Sequence, residues 1–358
     1  MMRRRTFFQA GIAAAAAAAT TTIFPQRSNA AETPTSSPRP RLFDVTTTVD
    51  LAQPEAGMQL WLPLFQSAGY QKLVGVSWES EAAVQIDRDP LFGASVLHAR
   101  WSKGDAPQRI SLVQRVATWD RAPSDASLPA TAAERAFWTR PSGYIVTDGI
   151  VRQTARQIVG TIRDPKAQVR AIYDWVVATT WRDPATAGCG TGDIAAMLRD
   201  KRYGGKCVDI NSLMVGLCRS IGIPAREIYG VRVAGSSRFK SLGRSGDVTG
   251  GQHCKAEVYL DEAGWFPVDP ADVRKAVLEE KLPVDSTPIV LLANDLFGSW
   301  EGNWAGYNSA SAVTLAGAPR RPNFKFLMYP CAMSDKDSRN CLDAKGFAYR
   351  ITSSEIIA

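Results

Sequence analysis

"GGKCVDINSLMVGLCRSIGIPAR", residues 204–226, decides how the rest of the chain is read. Ile210, Leu213, Met214, Leu217 and Ile221 recur every three or four residues, the spacing of one face of an α-helix, and Gly222 with Pro224 supplies the stop. Cys207 therefore stands at the helix start, behind two glycines. A thiol there meets the positive end of the backbone dipole and N–H groups without intrahelical partners, and both stabilise the thiolate. The same N–H groups can bind the oxyanion formed when a thiolate attacks a carbonyl, an effect worth roughly 3–4 kcal/mol per donor. Taken alone, the position suits a plain structural cysteine as well.

A nucleophilic thiol needs a base, and the chain has two histidines. His98 lies in "SVLHARW" among core-like residues and reads as a partly buried strand residue. His253 follows the glycine-rich "GDVTGGQ" and opens the strand "HCKAEVYL"; Asp269 ends the next strand, "GWFPVDP". If the two strands form a hairpin, the carboxylate can fix the imidazole tautomer and stabilise the imidazolium. Parity sets a condition. With a four-residue loop, Asp261–Gly264, Asp269 faces Ala256 and points away from His253. A bulge or an odd-length turn brings them to one face, and Gly264 and Pro267 are the residues able to supply it.

Outward from this segment, "DGIVRQTARQIVGTI" and "PKAQVRAIYDWVVATT" carry apolar residues at helical spacing, the second with Asp164 as cap and Pro165 in its first turn. Short alternating runs between residues 42 and 119, such as "LFDVTTTVDL" and "ISLVQRVATW", predict an antiparallel β domain. Beyond residue 286 the pattern reads as strand-like and rich in aromatics.

The N-terminus reads as an address. "MMRRRTFFQAGIAAAAAAATTTIF" has Arg4 and Arg5 before Thr6, Phe7 and Phe8, then a weakly apolar run, and Ser28 and Ala30 before a cleavage point at Ala31; this fits a twin-arginine export signal and a periplasmic protein. The run is too short to cross a bilayer, and no other stretch could. Removing residues 1–30 takes away Arg3, Arg4, Arg5 and Arg27 and no acid, which lowers the formal charge from +7 to about +3. With no basic patch left, nucleic acid is not an expected partner. Residues 31–41, "AETPTSSPRPR", read as a disordered lead-in.

The six cysteines all lie in the second half. A chain exported after folding in a reducing cytosol cannot depend on disulfides to fold; Cys331 and Cys341, either side of a polar loop, are the best candidate pair. No Cys-x-x-Cys, structural-zinc spacing, phosphate loop or dinucleotide motif occurs, so no cofactor and no metal are expected.

"GGKCVDINSLMVGLCRSIGIPAREIYGVRV", "QHCKAEVYL" and "GWFPVDP" together resemble the transglutaminase-like superfamily over about residues 165–275. The resemblance implies an α+β, papain-like core with Cys207 as nucleophile, His253 as base and Asp269 as the residue that orients it. "GCGTGD" upstream, with "GSWEGNWAGYN" and "FLMYP" downstream, is similar to exported bacterial members that carry an N-terminal β domain and are described as peptidases or amidases. On this reading the chain divides into a signal peptide (1–30), a lead-in (31–41), a β-sandwich domain (42–125), a connector and first helix (126–160), a catalytic core (161–285) and a C-terminal β extension (286–358). Two departures stand out. Lys255 occupies the position, two after the histidine, where most members have tryptophan. The tryptophan that helps the family's oxyanion site has no clear counterpart; Trp175 and Trp181 are candidates, and core packing accounts for either.

The expected function is that of an exported cysteine amide hydrolase or transamidase acting on a peptide, protein or cell-wall peptide, with hydrolysis favoured where water is abundant. A non-catalytic scaffold that keeps the fold is the alternative.

Overall fold

The computed structural model describes residues 4–7, 40–51, 53–104, 107–122, 129–320, 325–343 and 345–357. The export signal and the lead-in lie outside the described residues, except that Arg4–Phe7 runs antiparallel beside Gln71–Ser80 and Arg41 already belongs to a strand.

The N-terminal half supplies strands β1 (Arg41–Leu51), β2 (Met58–Pro63), β3 (Gln71–Ser80), β4 (Ala83–Arg88), β5 (Ser95–Trp101) and β6 (Gln108–Thr118). In β1 the alternation of "FDVTTTVDL" becomes alternation of burial, with Phe43, Val45, Thr47, Val49 and Leu51 turned inward. Then follow α1 (Ala132–Thr139), α2 (Gly149–Val159), α3 (Pro165–Thr179), β7 (Trp181–Arg182), α4 (Ile194–Asp200), β8 (Gly204–Gly205), α5 (Cys207–Ser220), β9 (Ala225–Arg232), β10 (Gln252–Leu260), β11 (Gly264–Val268), α6 (Pro270–Glu279), α7 (Thr287–Asp295), β12 (Trp304–Asn308), β13 (Cys331–Met333) and β14 (Ala348–Ile356).

One sandwich sheet runs β3-β6-β1-β14, the other β13-β2-β5-β4, all antiparallel. Between them Val49, Leu60, Leu62, Leu97, Ile110, Leu112 and Phe347 form a shared core. Residues 286–358, expected as a C-terminal β extension, divide themselves over the whole molecule. Residues 287–295 are a helix, a correction to the strand-like reading: Pro288 suits its first turn, and Ile289 and Leu292 put their buried side chains on one face. β12 joins the core sheet, while β13 and β14 return to the two sandwich sheets.

The core sheet, β11-β10-β9-β12, packs against α5, whose fourteen residues are all buried. A helix covered on every side by α2, α3, the sheet and α6 has no solvent face, which explains an apolar stripe wider than a surface helix needs. Sandwich and core meet through Phe43, Val45 and Val116 against Val231, Val233 and Tyr307. The fold is α+β, an antiparallel β-sandwich joined to a helix-on-sheet core. Among the described residues no helix is long and apolar enough to cross a membrane.

Candidate active site

Cys207 is the first residue of α5, and its side chain is 2% exposed. His253 lies near the start of β10, and Asp269 caps α6 immediately after β11. The parity condition is met by the turn. Leu260 pairs with Gly264, leaving a three-residue loop, Asp261–Ala263; Gly264 closes it at φ +66°, a conformation glycine adopts without strain. The register continues without a bulge to Ala256 opposite Val268, so the next residues, Lys255 and Asp269, fall together, on the same face as His253.

The carboxylate then meets the ring. His253 Nε2 lies 2.8 Å from Asp269 Oδ2 and 3.3 Å from Asp272 Oδ1. The neighbouring Cys189, Cys254 and His253 side chains all act on the Cys207 thiol. Cys189 first, and then Cys254, lower it well below its ordinary range; burial opposes them, and His253 adds to them. For His253, burial pulls the imidazolium down, but the charges of Asp272 and Asp269 outweigh it and leave the group above its ordinary range. Thiol and imidazole are thus biased toward a thiolate–imidazolium pair.

Asp269 is held from four sides. It accepts from His253, from Lys255 Nζ at 3.1 Å, from Asn211 Nδ2 at 3.3 Å and from the Asp272 N–H at 3.2 Å. Lys255 is buried, 3.7 Å from Asp272 and 5.6 and 5.7 Å from the ring centres of Trp300 and Trp304. Burial favours the neutral acid of Asp272, yet Arg232, His253 and Lys255 hold it far below the carboxylate range. Asp269 and Asp272 are paired with Lys255 and Arg232, and a thiolate–imidazolium pair, being zwitterionic, adds no net charge to the buried cluster. His253, Asp269 and Asp272 offer ligand atoms within 4.8 Å of one another, but a metal ion there would have to compete with Lys255 and Arg232 for the same oxygens.

Asp209 does more than suit the helix dipole. Its carboxylate accepts from the N–H groups of Thr191, Gly192 and Lys206, each at 2.9 Å, and so straps the "GCGTGD" loop to the start of α5. Glycine is required around it: a Cβ on Gly190 would lie 1.9 Å from Asp209 Oδ2, and one on Gly205 would lie 2.5 Å from its Cβ. This strap carries Cys189 to Cys207, and the Cys189 carbonyl accepts the Val208 N–H at 3.0 Å.

Sequence reasoning missed Asp272, Arg232, Cys254 and Tyr329. Asp272 left one signal, its spacing three residues after a helix-capping aspartate. Of the two candidate tryptophans, Trp175 packs edge-on against Tyr203, while Trp181 lies 46% exposed and covers Gly204, three residues before the thiol. All six cysteines are free thiols, Cys331 and Cys341 included. Cys331 is buried within β13 opposite Trp61, and Cys341 packs on the sandwich core.

Residues 152–270 match the family model of the transglutaminase-like superfamily. An uncharacterized protein of Haemophilus influenzae is 33% identical over 341 residues, which cover 88% of this chain and 92% of that one. Among solved structures, a provisionally assigned cysteine protease from Cytophaga hutchinsonii superposes with a TM-score of 0.54 at 14% identity, covering 89% of this chain and 92% of that one. At such identity the likeness concerns the fold.

Proposed function

Because the chain belongs to the transglutaminase-like superfamily, whose members include cysteine peptidases and transglutaminases, we propose that it acts on peptide or protein amides through Cys207, His253 and Asp269. The observation that carries the reading is the hydrogen bond of His253 Nε2 with Asp269 at 2.8 Å, together with Cys207 at the start of α5, whose thiol His253 helps to lower. The thiolate attacks the amide carbonyl, and the N–H of Cys207 at the helix start stabilises the oxyanion. His253 then gives its proton to the leaving amine, Asp269 holds the ring throughout, and a thioester remains on Cys207. Water attacks the thioester in a hydrolase and a second amine in a transamidase. Hydrolysis is favoured where water is in excess. The motif Arg4-Arg5-Thr6-Phe7-Phe8, with small residues before Ala31, supports twin-arginine export and a periplasmic site of action, where cell-wall peptides join proteins as substrates.

The test is a peptide-library digestion with wild-type protein and Cys207→Ala, scored by mass spectrometry for new termini and, with a primary amine added, for amine incorporation. Cleavage or incorporation by the wild type alone supports the reading. Equal behaviour of the two folded proteins would leave the scaffold reading in its place.

A further inference from the structure

Two thiols that this mechanism does not use flank the nucleophile: the Cys189 carbonyl accepts the Val208 N–H at 3.0 Å, and Cys254 follows His253 in β10. Cys254 is fully buried, with Asn211 Nδ2 and Glu227 Oε1 each 3.8 Å from its sulfur. Cys189 stands differently. Its thiol donates to the Gln252 carbonyl at 3.6 Å, and it lines a cleft of about 460 Å³ together with Gly188, Tyr329, Cys331, Cys341 and Leu342. Neither Cys207 nor Cys254 is among the residues lining that cleft. The Asp209 strap and the hydrogen bond from Val208 to the Cys189 carbonyl fix the two backbones side by side, so a bond between their sulfurs requires little ordering.

A thiolate is also the form that oxidants attack, and an unprotected sulfenic acid proceeds to sulfinic and sulfonic acids that thiols cannot reverse. We propose that Cys189 is the resolving thiol of Cys207, so that oxidation by a hydroperoxide closes a reversible Cys189–Cys207 disulfide and protects the nucleophile. The proposal rests on reading Cys207 as the nucleophile. In the first step the Cys207 sulfur gives two electrons to the peroxide, the O–O bond breaks, one oxygen stays on sulfur as a sulfenic acid, and the other leaves as an alcohol or water. In the second, Cys189 sulfur attacks the Cys207 sulfur, the S–O bond breaks, and the hydroxide leaves with the Cys189 proton as water. A dithiol reductant reverses the bond by attacking the Cys189 sulfur, the one that faces the cleft, and is itself oxidised to a disulfide. Access is the reason for choosing Cys189 over Cys254.

The experiment begins with reduced full-length protein. Iodoacetamide labelling of one portion reports whether Cys207 is a reactive thiol. A second portion receives hydrogen peroxide at near-stoichiometric amounts, its remaining thiols are alkylated, and a non-reducing digest is mapped by mass spectrometry. The expected product is the linked Cys189–Cys207 peptide pair, with at least about tenfold loss of Cys207 labelling that dithiothreitol restores. In Cys189→Ser, a second equivalent of peroxide should carry the unprotected Cys207 sulfenic acid on to sulfinic acid, and recovery by dithiothreitol should fall at least about fivefold relative to wild type given the same two equivalents. A Cys207–Cys254 pair, or a reactive Cys207 that forms no disulfide, would overturn the resolving role while leaving the nucleophile in place. A reduced Cys207 that iodoacetamide does not label would overturn the nucleophile, and this proposal with it.

Discussion

His98 in the sandwich and His253 in the core are both buried, and each has an aspartate oxygen within hydrogen-bond distance of a ring nitrogen: Asp87 at 2.9 Å for His98, Asp269 at 2.8 Å for His253. Their surroundings separate them. His98 stacks on Trp61 with ring centres 4.7 Å apart, and its second nitrogen is occupied by Gln59 Oε1 at 2.8 Å. Burial there outweighs Asp87 and lowers the imidazole below its ordinary range. Around His253 a second carboxylate, Asp272, joins Asp269; burial loses, and the imidazolium is favoured. A histidine–aspartate hydrogen bond is thus a structural unit that either site can use. The additional carboxylate and an adjacent thiol are what equip one of them for proton transfer.

The strongest way to break this comparison is to exchange the losses. His253→Ala should reduce kcat/KM on any amide substrate of the wild-type protein by on the order of 10⁵-fold or more, while His98→Gln should stay within about twofold. Comparable losses from both would mean that the second carboxylate and the thiol do not set His253 apart from His98. The aspartates sharpen it further. Asp269→Asn should cost roughly 10³–10⁴-fold in kcat, because the ring loses its preferred tautomer and counter-charge, and Asp87→Asn should leave kcat unchanged.

The pH dependence follows from the directions of the two shifts. The Cys207 thiol is lowered and the His253 imidazolium is raised, so the ion pair is populated between the two. Turnover should fall on the acid side as Cys207 becomes protonated and on the basic side as His253 loses its proton. Asp272→Asn removes the largest favourable charge on His253, so the basic limb should move to lower pH; an unmoved limb in the kcat/KM profile would assign that limb to another group. The smallest effect belongs to the sandwich. His98→Ala should lower stability by about 1–3 kcal/mol through lost hydrogen bonds and ring packing, a Tm decrease of several degrees with turnover intact.

Much of the core was legible because it is local. Asp164 caps α3 as its sequence suggests, accepting the Ala167 N–H at 2.7 Å, and α5 begins at Cys207. Strand parity in the hairpin calls for an irregularity, and the short turn closed by Gly264 provides it. What escaped was carried by distant pairings. Nothing near residues 348–356 announces that they pair antiparallel with Leu42 to Asp50 of β1. The strap from Asp209 to the "GCGTGD" loop is likewise invisible as spacing, because it spans 17 and 18 residues through backbone N–H groups. Lys255 was noticed as a departure, but its partners Asp269, Trp300 and Trp304 come together only in three dimensions.

The central claim, that Cys207 is a thiolate activated by His253, is tested most directly by labelling. Wild-type and His253→Ala proteins would be treated across pH with a limiting amount of a thiol-reactive peptide-amide mimic, and the modified cysteine mapped by mass spectrometry. Modification of Cys207 ahead of the other five thiols, persisting to pH values below the ordinary thiol range of about 8.5 and strongly reduced in His253→Ala, is the predicted result. Labelling of another cysteine with Cys207 untouched, or Cys207 labelling that His253→Ala leaves unchanged, would contradict it.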